Sequence, residues 1–153
     1  MARVAGSIGA ALIVIGFFLP WLDGTGAFAA RDFSGFDLAR LVRNFEIATP
    51  NQGSQLRATA IALYLVPALA VNGAVLGWFL GRASAIAMLV GGLYAAAILG
   101  VALMLSLVSW TDLGDVLGAP RLGFLVSAAG CALVTQNAVA LLLANRALAP
   151  VEE

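Results

Sequence analysis

The side chains with the strongest claim to chemistry in this 153-residue chain are Asp23, Asp32 and Asp37. All three lie in the one long polar stretch, 23–57. Clustered carboxylates can hold a divalent cation or exchange a proton with a substrate. A second set, Asn72, Gln136 and Asn137, stands in runs that are otherwise apolar. Asn72 follows Arg57 at the interval by which Gln136 follows Arg121, so helices running the same way hold these amides at similar depth. Amides removed from water need hydrogen-bond partners, and a clasp of Asn72 with Gln136 and Asn137 is the simplest way to supply them. A polar lining for a small solute is the sharper alternative. Other chemistry is scarce. The chain has no histidine, which removes histidine-built zinc sites, imidazole acid–base catalysis and histidine-ligated haem. Cys131 is the single cysteine, and its apolar surroundings suit a small buried residue. No cofactor is implied.

The elements that position these groups follow from composition. The chain is 62% hydrophobic and 10% charged, against about 45–50% and about 25% in soluble domains. Basic and acidic residues balance at eight each, there is no lysine, and no strongly basic segment is available to tether nucleic acid or anionic lipid. Segments 58–81 and 83–111 are uncharged and separated by Arg82 alone. Each exceeds the ~20 residues that cross a bilayer as a helix. Segments 4–22 and 122–145 are two further uncharged runs, bounded by Arg3 and Arg146. The expected fold is all-α: an integral membrane four-helix bundle in a single transmembrane domain, 1–153. Its spans lie at about 4–22, 58–81, 83–109 and 121–145. Pro20 and Trp21 mark the end of the first span at the membrane interface. Pro67 kinks the second and frees a carbonyl near Leu63. Gly81-Arg82 forms a turn, Ser84 caps the third span, and Pro120 suits the first turn of the fourth. A signal peptide with Ala27-Phe28-Ala29 as its cleavage site competes with the first span. The apolar run is long for that role, and the site lies far beyond Pro20.

Within 23–57, Ser34 and Asp37 have the spacing of a helix N-cap with its partner. Leu38, Leu41, Val42 and Phe45 then recur at helical intervals, with Asp37, Arg40, Arg43 and Asn44 on the other side. This is an amphipathic interfacial helix in the first loop. Its expected role is a lid on the bundle. The alternative is partner docking through Phe36, Asp37, Leu38, Arg40, Leu41, Arg43 and Phe45.

Small residues recur four apart: Gly73, Gly77 and Gly81 in one run, Gly92, Ala96 and Gly100 in the next. Gly6, Ala10 and Gly16 add small positions to the first. Such stripes let helix backbones approach closely in lipid. Packing within one chain is the simpler use, and association with other subunits the second. Ala85 lies off these stripes and is expected to face lipid.

Asp23-Gly24, Ala30-Arg31, Gly35 and Asp37 share residue types with the signature of CDP-alcohol phosphotransferases, but the spacing departs from it and the final aspartate is missing. Phe18-Leu19-Pro20-Trp21 and Ser34-Gly35-Phe36-Asp37-Leu38 together resemble a pattern in small prokaryotic four-span membrane proteins of unassigned function. The long first loop is similar in layout to claudin-like proteins, without their cysteines. No functional residue is carried over from any of these.

These features imply a non-enzymatic membrane subunit, self-associating or accessory to a larger complex. Its partners would be membrane lipid and other membrane subunits or itself, with no nucleic acid. A small-solute channel or transporter is the alternative, and a membrane enzyme using Asp23, Asp32 or Asp37 the third reading. The expected location is a prokaryotic plasma membrane, with both termini cytoplasmic and both polar loops outside. Arg31, Arg40, Arg43, Arg57 and Arg121 outnumber Arg3, Arg82 and Arg146 and argue the reverse if all count equally. The first span, built like a signal anchor, decides the matter here.

Overall fold

The computed structural model describes residues 2–24, 31–48, 53–79, 81–107 and 117–147. Helix α1 (Ala2–Phe18) leads into strand β1 (Pro20–Gly24). Strand β2 (Asp32–Ser34) and helix α2 (Gly35–Ala48) follow, then the long helices α3 (Gly53–Phe79) and α4 (Gly81–Leu107). Strand β3 (Leu117–Pro120) precedes the last helix, α5 (Leu122–Ala147). The four longer helices pack in the ring α1–α3–α4–α5, so α3 and α5 stand on a diagonal, as do α1 and α4.

Three helices are long and apolar enough to cross a membrane, over Arg57–Leu76, Ala83–Met104 and Leu122–Ala144. Only 28–33% of each window is buried. Most of their apolar surface therefore faces outward, as lipid-facing helices require and water-soluble ones avoid. In α1 the apolar helix, Val4–Phe18, is shorter. Its outward face carries Val4, Ile8, Ile15 and Phe18, each at least half exposed.

The closest helix contact joins α1 to α5. A β-carbon added at Gly9 would stand 3.0 Å from the Gly130 carbonyl oxygen. One at Gly130 would lie 2.7 Å from the Gly9 carbonyl oxygen, and one at Gly16 2.9 Å from that of Gly123. Only glycine lets these backbones touch. Ile13 and Phe17 fill the interior beside this seam, with Val66 and Met88 from the facing helices.

Several element boundaries differ from the sequence reading. The first helix stops at Phe18, short of residue 22, because Pro20 has no N–H for the Gly16 carbonyl. The indole N–H of Trp21 donates to that same oxygen at 2.7 Å. Trp21 is thus completely buried and closes the helix end, and is no interfacial marker. Gly81 begins α4, so no turn occurs at Gly81-Arg82, and Ser84 is a buried residue within α4 and not its cap. Helix α3 starts earlier than 58, at Gly53. Pro120 ends β3, and the Arg121 carbonyl instead accepts the first helical bond of α5, from Phe124 at 3.0 Å. Ala27-Phe28-Ala29 lies outside the described residues.

A three-stranded antiparallel sheet, ordered β2–β1–β3, caps one end of the helices. It joins the first loop to the second and so places both at the same end, as the two long helices α3 and α4 between them require. The strands were not legible in the sequence: they are short and cross two glycine-bearing loops.

Candidate functional site

The sheet gathers the loop charges. Asp23 of β1 pairs directly with Asp32 of β2. Like charges facing across a ladder repel. Arg121, between β3 and α5, supplies the counter-charge: its Nε donates to Asp23, and its Nη2 lies 3.9 Å from Asp32 Oδ1. The backbone fixes its position, since Arg121 N donates to the Trp21 carbonyl at 2.7 Å. The bond to Asp23 raises the Arg121 pKa. These groups are half to a quarter exposed, so solvent screens the pairs and they add little to stability. Their part is to align three strands.

Asp37 is likewise committed. Ser34 Oγ donates to Asp37 Oδ2 at 2.6 Å, Ser34 N donates to the same oxygen at 3.2 Å, and Asp37 N donates back to Ser34 Oγ at 3.0 Å. This is the reciprocal capping box expected from the sequence. The three aspartates thus serve the sheet and the helix start. Among the described residues no group of three acid or thiol side chains is arranged to hold a metal ion.

Helix α2 lies against α3 and, to a lesser extent, α1. Leu38 and Ala39 are buried, and Phe36 and Leu41 are half-buried. The Phe36 ring meets Phe18 at 5.7 Å and Tyr64 at 6.1 Å between centroids. Phe36, Leu38 and Leu41 of the docking alternative are therefore occupied by the bundle itself, which is the lid arrangement. Asp37, Arg40, Arg43 and Asn44 remain exposed. The Phe45 side chain lies outside the described residues. Beside the lid, Arg31, Asp32, Asp37, Arg40 and Asn44 line a polar cleft of about 240 Å³.

The amides are not brought together. Asn72 is exposed and donates to Ala68 O of its own helix at 3.0 Å. Gln136 is exposed on α5, and only Asn137 is buried, with its Nδ2 at 3.9 Å from Met88 Sδ of α4. The cause is the ring order, since equal depth cannot join residues on diagonal helices. Asn137 instead fills the space that Gly6 leaves: a β-carbon there would stand 2.7 Å from its Nδ2.

The glycine stripes divide. Gly73 packs on α4, 3.2 Å from Met88 Cα to an added β-carbon. Gly81 belongs to α4, so it does not continue a stripe on α3. Gly77 lies in α3, with its surroundings outside the described residues. Gly92 is closed against Thr135 of α5, where an added β-carbon would reach Oγ1 at 2.6 Å. Ala96 and Gly100 are exposed, and nothing lies within 4 Å of a β-carbon added at Gly100. Ala85, expected to face lipid, is completely buried. Ala96 and Gly100 open onto an apolar lateral groove of about 400 Å³ between α4 and α5, continued by Ala128, Cys131 and Ala132. The α1–α5 seam escaped the sequence reading, although Gly123, Ser127 and Gly130 carry its signal at spacings of four and three.

Comparison with known proteins adds no relative: no family model, no curated protein and no solved structure matches this chain.

Proposed function

We propose that this protein is a non-enzymatic integral membrane subunit, a four-span bundle that associates with other membrane helices through the α4–α5 groove. The exposed pair Ala96 and Gly100 carries this reading. Gly73 and Gly92 close helix contacts inside the chain, whereas these two lie open beside Ala128 and Ala132. A lipid-facing helix gains nothing from a small-residue trough, but a neighbouring helix gains close backbone approach. Helix α1 acts as the fourth span. Its 17 residues rise about 25 Å, a few ångströms short of the hydrocarbon core, a mismatch met by local thinning. A solute pathway has little support, since Ile13, Phe17, Val66 and Met88 are buried at the centre of the ring.

The reading places the protein in a prokaryotic plasma membrane with the sheet and lid outside. The test is cysteine cross-linking in native membranes with Gly100→Cys in a Cys131→Ala background. A discrete adduct, either to a second copy or to another protein, is expected at position 100. Equal yields at Gly100→Cys and at Ile61→Cys, exposed on α3, would refute a specific groove.

A further inference from the structure

We propose that this protein associates with a second copy of itself, the Gln136 carboxamides of the two copies exchanging hydrogen bonds at the edge of the α4–α5 groove. Gln136 is exposed on α5. It lies within the apolar span Leu122–Ala144, fourteen residues from one end and eight from the other. At the helical rise it stands about 21 Å and about 12 Å from those ends, too deep for its side chain to reach the interface. Among the described residues its carboxamide makes no hydrogen bond. Asn72, also exposed within a span, differs in this respect, since its Nδ2 donates to Ala68 O of its own helix. Lipid tails offer neither donors nor acceptors, so the N–H groups and the carbonyl of Gln136 stand unanswered in hydrocarbon. A polar group on a neighbouring helix is the remaining source of partners.

The amide sits beside the groove. Ala132, one helical turn before Gln136, and Thr135 next to it both line the groove, and residues four apart share a helix face. A second copy is the partner that the chemistry of the group selects. A carboxamide is both donor and acceptor, so it is complementary to itself. Copies inserted in one orientation hold Gln136 at the same depth. A two-fold axis along the membrane normal then lets Nε2 of each donate to Oε1 of the other. Any other partner must bring a polar group to that depth independently. A single polar residue in an apolar helix contact fixes register and strand number, whereas small residues such as Ala96 and Gly100 only permit close approach.

The inference rests on the proposed association and names its partner. The test places the purified full chain in phosphatidylcholine vesicles, with donor and acceptor dyes attached to separate preparations at Ala83→Cys in a Cys131→Ala background. Energy transfer is followed as the lipid-to-protein ratio rises. The parent chain is expected to transfer energy above the level of randomly distributed molecules and to dissociate on dilution. Gln136→Leu should need about three- to thirtyfold more protein per lipid for the same transfer. Gln136→Asn, with the same group on a shorter stem, should fall between, and Asn72→Leu should match the parent. An unchanged profile for Gln136→Leu overturns the pairing, and so does random-level transfer in the parent. Gly100→Leu separates the pair from the groove. Association lost in Gly100→Leu and kept in Gln136→Leu overturns the pairing and leaves the groove standing. The opposite result supports the pairing and removes the groove.

Discussion

Arg121 compensates two aspartates at once, and its removal should cost more than one surface ion pair. With Arg121→Gln, Asp23 and Asp32 face each other across the strands without a counter-charge. A lower melting temperature is expected, recovered in part by Asp32→Asn in the same chain. Additive effects in thermal unfolding of the single and double variants would show that Arg121 does not balance the pair. Ser127 gives the opposite expectation. Its Oγ is buried beside Gly16 and, among the described residues, has no hydrogen-bond partner. Ser127→Ala should therefore be neutral or stabilising, by up to about 1–3 kcal/mol, while Ser127→Val should destabilise by a similar amount. Equal melting temperatures for the two variants would mean that the seam is not close-packed there.

At the scale of elements, what proved legible was local. The capping box depends on residues three apart, so Ser34 and Asp37 carry it in the sequence itself. The lid's apolar positions followed from helical spacing in the same way. Where the chain meets itself was far less legible. The amide clasp needed α3 beside α5, and equal depth along two helices does not say which helices are neighbours. Trp21 has an interfacial preference by residue type, but its indole N–H turns inward to the Gly16 carbonyl, which Pro20 cannot bond and which Leu19 N also reaches at 3.2 Å. Ala85 and Ala96 exchanged expected environments because spacing identifies a stripe without saying which partner it faces. Tyr94 shows the same limit: its hydroxyl donates to Ala62 O at 2.8 Å, one residue before the carbonyl that Pro67 deprives of its donor. Tyr94→Phe should lower stability by about 0.6–2 kcal/mol through this α3–α4 bond. An unchanged melting temperature in detergent would show that the bond contributes nothing.

For the whole molecule, the sheet fixes both polar loops at one end, and orientation in the membrane becomes a single question. With the termini in the cytoplasm, Arg43→Cys in a Cys131→Ala background is expected to react with an impermeant thiol reagent on intact cells. Ala83→Cys, exposed at the opposite end, should react only after lysis. The reverse pattern would place the sheet, lid and cleft in the cytoplasm. The central claim is association through the α4–α5 groove, and its most direct test is the mass of the complex taken from its own membrane with its lipid by an amphipathic polymer. Wild type is expected to exceed the 15.6 kDa of one chain, after allowance for polymer and lipid. Gly100→Leu should reduce it to a single chain. Ala129→Leu, at an exposed α5 position outside the groove, should leave the assembly intact. A single-chain mass for wild type, or an undiminished assembly in Gly100→Leu, would contradict the account.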